Sequence, residues 1–173
     1  QIHAAENIGD IILNQTPRLM ELFDAERVTI YSIDTNTNQL LSMFKRGGDV
    51  NEIRVPRNHM SIAGHCATSG ETTNIRDAYD VEELRHHHPE LRFDSRWDQK
   101  TGFRTRQVLV TPITHSGHVL GVLQLVNKRN GEVFTSEDIE ATQKIAETLG
   151  IAFYNQRRMG RTSKPNKFGH LLD

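Results

Sequence analysis

A chain of 173 residues is long enough for one domain with a real core, and 36% apolar with 25% charged residues is an ordinary globular composition. Its 21 Lys and Arg against 22 Asp and Glu leave no global field that would draw nucleic acid or an anionic membrane surface. No apolar run approaches the roughly 20 residues of a membrane span, no signal-peptide pattern opens the chain, and its single cysteine, Cys66, cannot make an internal disulfide; together these read as cytoplasmic.

The chain opens at Gln1 inside a helical pattern, which reads as an excised fragment. AAENIGDIILN places Ile8, Ile11 and Ile12 at helical spacing. Thr16-Pro17 reads as an N-cap and first helical position ahead of a second helix burying Leu19, Leu22 and Phe23. RVTIYSID sets Val28 and Ile30 against Thr29, Tyr31 and Ile33, the period of a strand. DTNTNQ is turn chemistry, so LLSMFKR becomes the second arm of a hairpin. Gly47-Gly48 breaks that arm, and EIRVP is a short strand stopped by Pro56.

SIAGHCATSG, with Ser61 as N-cap and Gly70 as stop, predicts a small helix. Between Asn74 and Arg106 comes a segment too polar for a core element and without a strand pattern. It nevertheless carries Tyr79, Phe93, Trp97 and Phe103, which implies that it covers something. QVLVTPITH and HVLGVLQLVNK then meet at Ser116-Gly117 in a tight hairpin, and their near-continuous apolar character marks the centre of a sheet. After a turn at Asn130-Gly131, Thr135 and Asp138 form a capping-box-like start, with Asp where Glu is usual. The last helix, Ser136 to Met159, lines Ile139, Thr142, Ile145, Ala146, Leu149, Ala152 and Phe153 along one face, part core and part dimer seam. GRTSKPN beyond it reads as a linker. The order predicts an α+β domain over residues 1–159, built on an antiparallel sheet, with residues 160–173 a linker and the start of a following domain.

Several phrases in this order resemble a known family: IAGH (Ile62 to His65), NIRDAY (Asn74 to Tyr79), D-x-x-TGFRTR (Asp98 to Arg106), and LVNK followed by F-x-x-x-D (Asn127, Lys128, Phe134, Asp138). The chain resembles a GAF domain of the branch found in mammalian cyclic-nucleotide phosphodiesterases and some bacterial adenylyl cyclases. The resemblance implies a sheet of about six strands, with the N- and C-terminal helices on one side and a ligand-covering lid on the other. It also implies a cyclic nucleotide beneath the lid, a non-catalytic regulatory role, and a homodimer formed through the terminal helices. By similarity, Thr29 and Phe44 lie on the sheet floor, Phe44 stacking on the base. Ile62 and Ala63 offer backbone amides to the phosphate, and Thr101 and Thr105 approach from the lid. The quartet Asn127, Lys128, Phe134 and Asp138 is structural, Lys128 pairing with Asp138.

Three positions depart from the branch pattern. Ile139 stands where that motif closes with Glu, Lys45 where an acidic residue follows the stacking Phe, and Gln124 where close relatives carry a pocket Glu. Lys45 and Gln124 fall where base edges are read. Lys45 offers only donors and Gln124 one donor and one acceptor, which suits adenine better than guanine, so cAMP is expected over cGMP. A ligand-free dimerisation module is the alternative. Lys167 to Asp173, KFGHLLD, resembles the opening of the N-terminal domain of type II secretion and type IV pilus assembly ATPases, which would make the chain a sensory module ahead of such an ATPase.

Other chemistry is disfavoured. His86, His87 and His88 point in different directions and read as a solvated lid turn rather than a metal site. His115 and His118 read as exposed. His65 and Cys66, adjacent on a helix, diverge, and Cys66 reads as a small core residue; GAF-fold methionine sulfoxide reductases need several cysteines. No cofactor ligand set or attachment cysteine is evident.

Overall fold

The computed structural model describes residue 21 and residues 24–46 and 52–162, with the backbone alone for residues 44–46 and 159–162. Apart from Glu21, which is helical, the two expected N-terminal helices with Ile8, Ile11, Ile12, Leu19, Leu22 and Phe23 lie outside the described residues, as does the 163–173 tail. Six strands form one sheet in the order β3-β2-β1-β6-β5-β4. They are β1 (Ala25–Asp34), β2 (Gln39–Arg46), β3 (Arg54–Pro56), β4 (Thr73–Ile75), β5 (Val108–His115) and β6 (His118–Lys128). Helix α1 spans Ile62–Ser69, α2 Val81–His87, α3 Arg96–Thr101 and α4 Ser136–Thr162.

Each pair of neighbouring strands in this sheet is antiparallel. The β1–β2 and β5–β6 hairpins are local, and both turns use left-handed residues: Asn38 (φ 54°) in the first, Ser116 (φ 53°) and Gly117 (φ 80°) in the second. The two hairpins are joined by pairing β1 with β6, Thr29 opposite Gln124 and Tyr31 opposite Val122. Pro112 sits beyond the end of β4, where β5 is open on one side, the setting in which a strand tolerates proline.

The sheet is covered on both faces, which is why β5 and β6 read as continuous apolar runs. On one face Val28, Ile30, Leu109, Ile113, Leu123 and Leu125 pack against Phe134, Ala146, Leu149 and Phe153. On the other, Tyr31, Ile33, Val110 and Val122 pack against Ile62, Cys66 and Ala67 of α1 and Leu84 and Leu91 of the lid. The apolar stripe of α4 is thus core, with Thr142, Ala146, Leu149, Ala152 and Phe153 all buried. Gly150 lets that helix lie on β5, since a Cβ there would collide with the Thr114 carbonyl.

The predicted capping box is present and reciprocal. Thr135 Oγ1 accepts the Asp138 amide at 3.1 Å, and Asp138 Oδ2 accepts the Thr135 amide at 2.8 Å. Three details differ from the sequence reading. The edge strand β4 has no signal in its three residues, because its partner β5 supplies the ladder. The polar segment folds its middle into two short helices, each opened by local polar chemistry: Asp80 accepts the Glu82 and Glu83 amides, and Asp94 accepts that of Arg96. Finally, α4 continues through Gly160, Arg161 and Thr162, which read as linker.

Candidate functional site

Residues 76–107 form a lid over the sheet face opposite α4, and three of its four aromatics face what it covers. Between lid and sheet lies a cavity of about 260 Å³. Phe93, Trp97 and Phe103 roof it, while Thr29, Tyr31, Gln124 and Val126 form its floor. Tyr79 stands one layer back, edge-on to Phe93 at 5.3 Å, with the Arg104 guanidinium 3.9 Å over its ring.

The floor follows from strand register. Thr29 of β1 lies opposite Gln124 of β6 and Lys45 of β2, so three of the sequence candidates share one row across three strands. Phe44 pairs with Ile30, next to the register shift between Ile30 and Tyr31. The side chains of Phe44 and Lys45 lie outside the described residues. Burial pushes the Tyr31 hydroxyl up to about 12, partly offset by a hydrogen bond with Gln124. Gln124 itself lines the cavity.

One wall is the start of α1. Ser61 Oγ accepts the Gly64 amide at 3.0 Å, while Ile62 and Ala63 line the cavity ahead of the helix's own hydrogen-bond ladder. Gly64 is required by close approach: a Cβ would press on the carbonyls of Pro56 and Asn58.

The lid is fastened at Asp98, a residue that sequence reasoning noted only as part of a motif. Only 7% exposed, its carboxylate accepts the Tyr79 hydroxyl (2.7 Å), the Thr105 amide (2.8 Å) and the Thr105 hydroxyl (2.9 Å). Thr101 and Thr105 both line the cavity, yet each hydroxyl proton goes to a lid partner, Thr101 donating to the Trp97 carbonyl at 2.8 Å. Arg27, also missed, enters from β1 and sets its guanidinium 3.4 Å over the Phe103 ring. Partial burial lowers its pKa, while Asp98 and Glu26 raise it; an arginine so placed stays cationic.

Of the quartet Asn127, Lys128, Phe134 and Asp138, Asn127 holds the lid's returning strand. Asn127 is fully buried at φ 58°. Its Oδ1 accepts the Arg106 and Gln107 amides at 2.7 and 3.1 Å, and its Nδ2 donates to the Arg104 carbonyl and to Glu26. Lys128 Nζ meets Asp138 Oδ2 at 2.9 Å, and the Phe134 carbonyl accepts the Asn74 side chain at 3.0 Å. These four residues therefore lie behind the cavity, not in it.

The histidines depart from expectation. His86 and His87 are exposed as read, but His88 is half-buried and stacks on His59 at 3.9 Å. His115 is half-covered by the Tyr154 ring at 4.1 Å, while His118 is exposed. Among the described residues no cluster of three or more His, Cys, Asp or Glu is arranged to hold a metal. Cys66 is fully buried, and burial pushes its thiol far up.

The sequence profile of the GAF domain matches residues 9–153. The chain belongs to the GAF domain family. This GAF domain is 33% identical over 166 residues to a probable 3′,5′-cyclic phosphodiesterase of Caenorhabditis elegans, covering 90% of this chain and 21% of that protein. Over 112 residues it is 41% identical to the dual 3′,5′-cyclic-AMP and -GMP phosphodiesterase 11 of Drosophila melanogaster, covering 64% of this chain and 7% of that protein. The chain thus spans only a small part of the length of these curated relatives. Among solved structures, the free methionine-R-sulfoxide reductase of Neisseria meningitidis shares the fold at a TM-score of 0.67 and 20% identity, covering 90% of this chain and 87% of that one. The family match ends at Phe153 and lends no support to the secretion-ATPase likeness of the tail, which lies outside the described residues. No described helix is long and apolar enough to cross a membrane.

Proposed function

We propose that this GAF domain is a cytoplasmic, non-catalytic regulatory module that takes a cyclic nucleotide between sheet and lid and relays occupancy through its terminal helices. The observation that carries the reading is the cavity itself. It pairs an aromatic roof, suited to a flat base, with the Arg27 guanidinium and the start of α1, suited to an anion. Both named relatives are cyclic-nucleotide phosphodiesterases, which supports the ligand class. In this arrangement Thr29, Lys45 and Gln124 read the base edge, Phe44 stacks on it, Ile62 and Ala63 receive the phosphate, and Thr101 and Thr105 close over the ligand. The row of Lys45, Thr29 and Gln124 supports the edge assignment. A lone, buried Cys66 with its thiol pushed up offers no nucleophile, which favours a role without chemistry.

The Gln124 amide matches adenine's donor and acceptor edge, so cAMP is favoured over cGMP. Titration calorimetry with both nucleotides tests this: tighter cGMP overturns the base argument. Binding of neither hands the case to the second reading, a ligand-free dimerisation module. That reading draws on the Thr101 and Thr105 hydroxyls, whose protons are already engaged within the lid.

A further inference from the structure

Four histidines meet where the lid touches α1. His59 lies in the turn before α1, His65 on α1, His87 ends α2 and His88 is its C-cap residue. His59 and His65 face each other Nδ1 to Nδ1 at 2.8 Å, so one ring donates and the other must keep its Nδ1 lone pair. The His88 ring lies 3.9 Å from that of His59 and nearly parallel to it, at 5°. The His65 ring centre is 5.8 Å from that of His88 and 6.5 Å from that of His87. His88 Nδ1 also accepts the Glu90 amide at 3.1 Å, which again requires an unprotonated nitrogen. His65 is only 6% exposed, and His59 and His88 are half-buried.

What crosses this junction is ring against ring, His88 stacked on His59 with His87 and His88 beside His65. The two contacts that depend on imidazole lone pairs flank it, His59–His65 on the α1 side and His88–Glu90 within the lid. A second proton on the His59–His65 pair would set two N–H groups against each other. A proton on His88 Nδ1 would do the same against the Glu90 amide. Stacked rings would then also carry like charges. We propose that this cluster is a proton-operated latch, holding the end of α2 against α1 while the histidines are neutral and releasing the lid as they take up protons.

The surrounding charges do not cancel the effect. Glu71, just past α1, favours charged His65, but burial and then His59, His87 and His88 outweigh it and lower the His65 pKa. Arg57 donates to the Ala67 carbonyl of α1, and Arg92 lies against Met60 Sδ, adding cations to the neighbourhood. The sign follows by linkage. A base whose pKa is lowered in the closed form leaves that form unpenalised above the ordinary histidine value of 6.5. The closed form loses ground as pH falls below it, because the open form binds the proton first.

The latch does not depend on which ligand the cavity takes, so it is tested on the full chain without nucleotide. Trp97, the only tryptophan, roofs the cavity within the lid and reports its opening. Acrylamide quenching of Trp97 is expected to rise about two-fold from about pH 7.5 to about pH 5.5, with a midpoint below 6.5 and an unchanged far-ultraviolet circular dichroism signal. The double variant His59→Gln with His88→Gln is expected to lose the rise. Should it not fold, the single variant His88→Gln is expected to blunt it. Quenching that stays flat in the parent overturns the proposal. So does a rise that persists in the variants, one that accompanies global unfolding, or one that EDTA abolishes, which would reassign the cluster to a metal.

Discussion

Asp98 and Asn127 show how single buried polar residues fix a lid made mostly of polar chain. Burying a carboxylate is unfavourable unless its lost hydration is replaced, and Asp98 replaces it with Tyr79 and two groups of Thr105. Asp98→Ala leaves the Thr105 amide without its partner in a buried place. It is expected to cost about 2 kcal/mol and to lower the melting midpoint by roughly 4–8 °C. Asp98→Asn keeps an acceptor for that amide and is expected to cost less. Differential scanning calorimetry decides it, and an Ala variant that melts like the parent would show that the lid is held elsewhere. Asn127 serves the returning strand in the same way. Its left-handed φ is one that Asn tolerates better than most residues, so backbone shape and side-chain bonding ask for the same residue.

At the scale of elements, the junction between β6 and α4 rests on one carboxylate with two duties. Asp138 caps α4 through the Thr135 amide and pairs with Lys128, the two side chains being 13% and 14% exposed. Lys128→Ala removes the pair and leaves the cap, whereas Asp138→Ala removes both. The aspartate variant is therefore expected to cost about 3 kcal/mol and the lysine variant about 1 kcal/mol less. Urea denaturation of both measures the difference; equal losses, or a larger one for Lys128→Ala, would mean that the cap contributes nothing. Farther along α4, Arg157 donates to the Ile33 and Leu120 carbonyls at 3.0 and 3.3 Å, tying the helix to the ends of β1 and β6.

For the whole molecule, the proposed relay needs a face through which ligand occupancy would leave the domain. α4 buries its stripe on the sheet but still exposes Ile151 (54%) and Tyr154 (36%) on its outer side. The proposed relay calls for a homodimer through this face and the helices expected at the N-terminus, since paired helices would carry a change in the sheet to whatever adjoins them. Light scattering should give twice the 19.7 kDa of the chain, and Ile151→Glu should weaken the association. A parent that stays monomeric at high micromolar concentration would remove this route.

The sequence by itself determined the elements whose signals are local. The Ser116-Gly117 turn, the Ser61 cap, the Thr135–Asp138 box and the two-sided apolar runs of β5 and β6 each state their structure within about ten residues, because turns, caps and periodicity depend on near neighbours. The resemblance to the family, rather than any local signal, pointed to Thr29, Ile62, Ala63, Thr101, Thr105 and Gln124, all of which line the cavity. Only the tertiary structure decided that β1 pairs with β6, that Thr73–Ile75 is a strand, and that α2 and α3 stand inside the lid. It alone brought Arg27, on β1, to Phe103 and into the field of Asp98, and set His88 on His59. Those residues carry no periodic or turn signal. Their roles come from burial and from partners some 30 to 80 positions away, and burial is a property of the folded surface rather than of any stretch of chain.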